Sequence, residues 1–199
     1  MPLGYSNTSI KEAVKQQMEK VPYVNPEMFN NEKSEELASL MTDILGKNYT
    51  KILYTCTGSE CVELGIKIAR KYNSLTSSKR NLIGIFENSY HGTYYGAMSA
   101  TEFESKWQKG YGPMLEGFVE LGGIYEHDLE DNDEQQSGFT DNQKNIINNL
   151  EMLKDELAAV IVEPIQASGG VLIFTKELLS TMCKICNENN ILVCWHVDI

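Results

Sequence analysis

No apolar run in this sequence approaches the roughly 20 residues that a membrane-spanning helix needs. The opening, Met1-Pro2-Leu3-Gly4-Tyr5-Ser6, has neither the basic start nor the apolar stretch of a secretory signal. Positive charge is scarce as well: 17 Lys and Arg stand against 28 Asp and Glu, a net charge of −11. Nucleic acid and anionic membranes call for clustered positive charge, so neither is an expected partner. Part of the acidic excess sits in Glu126-His127-Asp128-Leu129-Glu130-Asp131-Asn132-Asp133-Glu134, expected to be a solvated loop because like charges resist packing. The five cysteines are odd in number and lack framework spacing, which points to reduced thiols and a cytoplasmic protein.

Several motifs are missing too. There is no G-x-S-x-G elbow, which tells against a hydrolase of that type. No G-x-G-x-x-G turn follows a strand, which tells against a dinucleotide-binding sheet. The three histidines are isolated in sequence and no second Cys or His pair has ligand spacing, so no metal site is expected. Cys183 and Cys186 share a helical stripe with Leu178, Leu179 and Met182, and are expected to pack rather than react.

What is present is an alternation of apolar runs and amphipathic helices. Ile10, Ala13, Val14, Met18 and Val21 recur at helical spacing, with Asn7 or Thr8 placed to cap. Leu37, Leu40, Met41 and Ile44 repeat the pattern until Gly46. Residues 1–48 therefore read as an N-terminal helical segment and 49–199 as part of a larger domain. Within that part, strands are expected at Ile52–Cys56, Leu82–Phe86, Ala158–Val162 and Ile191–Trp195. Helices are expected over Ser59–Tyr72, just after His91-Gly92, over Asn142–Leu153 and over Lys176–Glu188. The stretch between about 101 and 157 is otherwise expected to be irregular. The fold class is α/β: three layers, a mostly parallel sheet with helices on both faces. Ile199 ends the chain on an inner-strand pattern with no covering helix, so another chain or a missing continuation is expected to complete the sheet.

Three segments at strand ends carry the chemistry. In Thr55-Cys56-Thr57-Gly58-Ser59-Glu60-Cys61, a strand runs through Thr-Gly-Ser into a helix. Open amides and the positive end of the dipole make such a start an anion site suited to phosphate. Thr57 and Ser59 add hydroxyls, and Gly58 permits close approach. Taken alone, the segment reads first as a helix cap. Glu87-Asn88-Ser89-Tyr90-His91-Gly92 offers an aromatic ring and an imidazole at the next strand end, where a flat ring could stack on Tyr90. Val162-Glu163-Pro164-Ile165-Gln166-Ala167-Ser168-Gly169-Gly170 places an acid and a shaped loop at a third. In an open parallel sheet, ligands sit beyond the carboxyl ends of the strands, so all three are expected on one rim.

Together these segments resemble the class III aminotransferases, a branch of the fold-type I pyridoxal-phosphate enzymes. Gly58-Ser59-Glu60, Glu63 and Ile66-Lys67-Ile68-Ala69-Arg70 look like that family's phosphate-cup helix. Ser89-Tyr90-His91-Gly92-Thr93 resembles the segment that stacks on the cofactor ring, and Val162-Glu163-Pro164-Ile165-Gln166 the strand end lining the site. Gly4-Tyr5-Ser6-Asn7 and Ala13-Val14 match its early helix. Ser99-Ala100-Thr101, Gly110-Tyr111-Gly112-Pro113 and Ala167-Ser168-Gly169-Gly170 look closest to the dialkylglycine decarboxylase-like branch. Ser168 stands where many members have a glutamate that partners an arginine, which tells against ornithine- or GABA-type substrates.

The resemblance implies pyridoxal 5'-phosphate as cofactor, held by Thr57, Gly58, Ser59, Tyr90, His91 and Glu163. It implies transfer of an amino group from a small amine or amino acid to a 2-oxo acid, in a homodimer. Two departures stand against activity of this chain alone. Trp195 and His196 replace the family's Asp-Glu at the fourth strand end, Asp198 replaces its glutamine, and that aspartate is the residue that binds the pyridine nitrogen. The Schiff-base lysine and the small C-terminal domain lie downstream in the family and are absent from these 199 residues, so no catalytic residue is assigned. The alternative expectation is a non-catalytic binding module, or one subunit of a split enzyme completed by a partner chain.

Overall fold

Thr57 turns an extended segment into the longest helix among the described residues. Its hydroxyl oxygen accepts the Glu60 amide at 3.2 Å, while the Glu60 carboxylate reaches back to the Cys56 amide at 2.6 Å. The computed structural model describes residues 3–25, 28–76, 79–103, 108–126 and 138–197. Within these, the helices are α1 (Thr8–Lys20), α2 (Glu32–Leu45), α3 (Gly58–Leu75), α4 (Tyr95–Ser99), α5 (Asp141–Leu153) and α6 (Lys176–Glu188). The strands are β1 (Leu82–Ile85), β2 (Phe118–Glu120), β3 (Leu157–Val162), β4 (Ile165–Gln166), β5 (Leu172–Ile173) and β6 (Leu192–Trp195).

The chain divides into two units, Met1–Tyr54 and Thr55–Ile199. The first holds α1 and α2. Asn7 caps α1 by accepting from the Ile10 amide, and Asn31 caps α2 by accepting from the Lys33 and Ser34 amides. Their apolar stripes stay exposed, Met18 at 61% and Ile44 at 74%. The Tyr54 hydroxyl donates to the Ser34 carbonyl at 2.7 Å.

The second unit is built on a sheet of order β2-β1-β3-β6, every pairing parallel. Its central strand, β3, is buried along its whole length, as a strand covered on both faces must be. On one face, Val62, Ile66 and Ala69 of α3 and Ala97 of α4 pack against Ile83, Ile85, Ala159 and Ile161. On the other, Ile146 and Leu150 of α5 with Leu178, Met182 and Ile185 of α6 pack against Leu157, Val160 and Val162. The result is the three-layer α/β arrangement expected. α3 is pinned along its length by polar ties: buried Asn73 donates to the Ala158 carbonyl at 3.3 Å, and Arg70 to the Asn81 carbonyl at 3.2 Å. Those ties set where its N-terminus comes out at the rim.

Three strands and the four later helices follow the sequence reading. One strand does not: Ile52–Cys56 is no part of the sheet, and Leu53 and Tyr54 are 63% and 50% exposed. An inner strand needs a hydrogen-bonded neighbour on each side, and none of the described strands pairs with this segment. Conversely, β2 and the β4-β5 hairpin arise where the apolar pattern was weak or interrupted. β2 has three residues and pairs only with β1, so it shows no periodicity to read. Within the acidic stretch, residues 127–134 lie outside those described.

Removing buried volume at the α6–sheet contact should cost stability directly. Leu178→Ala should lower the unfolding free energy by about 2–5 kcal/mol, measured by urea denaturation. Leu53→Ala, at an exposed position, should change it by less than about 1 kcal/mol. A comparable loss at Leu53 would mean that this segment is packed after all.

Candidate functional site

The parallel register brings the carboxyl ends of β1, β3 and β6 side by side. Val162 pairs with Trp195, and the His196 amide donates to the Val162 carbonyl at 2.9 Å, which puts Glu163 and His196 at the next level of the rim. From the end of β1, the segment Glu87–Thr93 crosses the same edge. The Tyr90 amide donates to Glu163 Oε2 at 2.8 Å, and the His91 amide to Thr101 Oγ1 at 2.9 Å. Two residues on, the Thr93 amide donates to Ser59 Oγ at 3.0 Å. Residues 90–93 thus touch both the third strand end and the first turn of α3. All three expected segments meet.

Close packing enforces this meeting. Gly92 has φ +124°, and a Cβ there would fall 2.4 Å from Ser59 Oγ. Gly96, at the start of α4, lies equally near Glu63, whose Oε1 accepts the Gly96 and Ala97 amides at 2.7 and 3.1 Å. Helix α4 is therefore bound to the side of α3, with its first amides satisfied by a carboxylate. The β4-β5 hairpin is tied to β1 by Gln166, buried, whose Nε2 donates to the Glu87 carbonyl at 2.8 Å. Gly169 lies against Asn88, where a Cβ would come within 2.5 Å of the Asn88 carbonyl oxygen.

Each expected site residue can now be placed. Gly58 and Ser59 occupy the first turn of α3, where the helix itself leaves the amides open. Thr57 spends its hydroxyl oxygen on the cap and keeps one proton to donate. Tyr90 is half-buried beside Glu163, which is 1% exposed. His91, also 1% exposed, is pushed down to a pKa of about 3, first by burial and then by the nearby His196. It is a neutral imidazole. Its Nδ1 stands 3.0 Å from Nδ1 of His196, and its Nε2 is buried without a hydrogen-bond partner among the described residues.

Sequence reasoning missed that histidine pair. Position 196 drew notice only as a departure from a motif, and 105 residues separate it from His91. No local spacing signals such a contact. Also unforeseen is a group of carboxylates at the ends of β1 and β2. Burial, then the Glu87 charge, raises the pKa of Glu102 and of Glu120. The Tyr125 hydroxyl donates to Glu87. The Cys183–Cys186 pair packs as expected: Cys186 is buried, and burial followed by Cys183 raises its pKa to about 12, which opposes thiolate chemistry.

Open helix amides, a ring-bearing segment and a buried acid share one rim, where open parallel sheets hold their ligands. The family model for Aminotransferase class-III matches residues 1–195. The chain belongs to the class III aminotransferase family. It is 34% identical over 195 residues to the acetylornithine aminotransferase of Clostridium acetobutylicum, spanning 96% of this chain and 43% of that protein. Among solved structures, it is similar to the adenosylmethionine-8-amino-7-oxononanoate aminotransferase of Methanocaldococcus jannaschii, with a TM-score of 0.84 and 27% identity. That match covers 96% of this chain and 41% of the other. An amine transaminase from an uncultivated Pseudomonas species, solved in a PLP-bound form, matches with a TM-score of 0.84 over 96% of this chain and 44% of its own; at 23% identity it speaks for the fold alone. The chain spans less than half the length of the relatives it matches.

Two outcomes follow from this geometry. Gly92→Ala should destabilise the fold by more than about 1 kcal/mol, through positive φ and the clash with Ser59, as measured by thermal or urea unfolding. Unchanged stability would mean the 90–93 segment does not sit on α3. Stability should also depend on His91 below neutral pH. The unfolded imidazole titrates near 6.5 and the folded one at about 3, so between those values the unfolded chain holds the extra proton. The contribution is complete above 6.5 and is lost as pH falls, by up to about 1.4 kcal/mol per pH unit. Urea unfolding at pH 7 and 5 should show this slope, reduced in His91→Gln; an equal slope in both proteins would exclude it.

Proposed function

We propose that this chain forms the phosphate-binding and ring-covering part of a pyridoxal-phosphate site, in a protein that moves an amino group from a small amine or amino acid to a 2-oxo acid. The observation that carries the reading is the open first turn of α3 at Gly58 and Ser59, held against Gly92 and Thr93 on the strand-end rim. Backbone amides there suit a phosphate monoester, and the Ser59 and Thr57 protons can be donated to it. Tyr90 is placed to cover one face of a flat ring, while His91 and Glu163 line the floor.

Pyridoxal phosphate, when bound, supplies an electron sink for reactions at the carbon bearing the amine. The phosphate end of the cofactor fits the residues present. The ring-nitrogen end fits less well, because Trp195, 41% exposed, stands where the family's aspartate would be and an indole has no acidic group to offer. Asp198 lies outside the described residues. Binding is therefore the part of the function derived from these residues.

Trp195 also favours a second reading, a non-catalytic module or one subunit of a split enzyme. It predicts cofactor binding without amino transfer until a partner chain is supplied. The exposed apolar stripes of α1 and α2 support a homodimer. The free cysteines support the reducing cytoplasm, and among the described residues no helix is long and apolar enough to cross a membrane.

Pyridoxine 5'-phosphate, which carries the phosphate but no aldehyde, tests the cup without interference from surface lysines. By equilibrium dialysis it should bind at least about tenfold more tightly than pyridoxine, a difference of about 1.4 kcal/mol. Ser59→Asp, which sets a negative charge in the cup, should abolish that preference. Equal binding of the two compounds would remove the phosphate-cup assignment.

A further inference from the structure

We propose that His91, Glu163 and His196 form a binding site for one divalent transition-metal ion of the zinc class. One ligand atom from each of the three lies within 4.8 Å of the others. The two Nδ1 atoms are 3.0 Å apart. Zinc bonds nitrogen at about 2.0–2.1 Å, so two ligands on one tetrahedral ion stand roughly 3.3 Å apart. A shift of a few tenths of an ångström brings the imidazoles to that spacing.

The donor set is the right kind. Two imidazoles and one carboxylate are a recurrent three-residue set for zinc, with a fourth position left to water or a small ligand. Rigid backbone presents all three. Glu163 follows β3 and accepts the Tyr90 amide, His196 follows β6 and donates its own amide to Val162, and His91 is fixed through its amide to Thr101. Glu163 and His91 are each 1% exposed, and the three ligand atoms, within 4.8 Å of one another, must draw closer to share an ion.

The ion would take His91 and Glu163 from the floor of the proposed cofactor site, and the metal alone is the probe, so failure here leaves the phosphate-cup test untouched.

Cadmium-113 is that probe, since its resonance separates nitrogen and oxygen ligands from sulfur. The full 199-residue chain should carry Cys56→Ser and Cys61→Ser, which remove its exposed thiols. One equivalent of cadmium should give a single resonance in the nitrogen–oxygen range, displaced by zinc. His196→Ala should weaken binding at least about 100-fold and abolish that resonance, with the far-ultraviolet circular dichroism unchanged. His196→Asn, which keeps a polar side chain of similar reach, should do the same and serves if the alanine variant does not fold. The proposal is overturned by absence of saturable binding, by a sulfur-shifted resonance, or by affinity that survives loss of His196. Any of these leaves the histidine pair as a hydrogen bond and nothing more.

Discussion

The Glu163 carboxylate is the contact on which the rim of this protein depends. It closes the one strand buried along its entire length, and instead of meeting water it accepts the Tyr90 amide from the neighbouring strand end. A carboxylate 1% exposed is costly to bury unless it is partnered, so this bond fixes where residues 90–93 run. That path in turn sets Gly92 and Thr93 against Ser59. One polar contact thereby connects the ring-bearing segment to the helix start.

The rest of the site is built by denying space. Gly92 and Gly96 approach Ser59 and Glu63 so closely that a methyl group would not fit at either. Glu63 satisfies the first amides of α4, while the Gly58 and Ser59 amides stay open at the start of α3. Asn73 and Arg70 hold the other end of α3 to backbone carbonyls beneath it. The helix is consequently a rigid strut whose open amides stay at the rim. Anion binding at a helix start requires that rigidity, since a mobile donor loses most of its advantage over water.

Where the chain departs from its relatives, the local physics changes sign. An aspartate at position 195 would bring a fixed negative charge to the strand end; Trp195 brings a half-exposed ring. His196 next to it stands with its Nδ1 3.0 Å from that of His91, one imidazole buried and the other partly exposed. Burial keeps His91 a neutral imidazole at this rim. That is a different electrostatic floor on the same scaffold, and fold likeness carries no information about it.

The sequence by itself determined the layers. Continuous apolar runs at Leu82–Phe86, Ala158–Val162 and Ile191–Trp195 form strands, and the stripes of α3, α5 and α6 cover the two faces of the inner ones. It also set Tyr90-His91 and Glu163 just past runs that become strands, whereas Thr57-Gly58-Ser59 follows a run that does not. Tertiary structure alone decided the pairings. Whether Ile52–Cys56 joins the sheet depends on a neighbour, which propensity cannot supply, and β2 exists only because β1 offers an edge. His91 finds His196 across 105 residues through the register of three strands. Periodicity is a property of a few consecutive residues. Proximity at a sheet edge belongs to strand order and register, which no local pattern encodes.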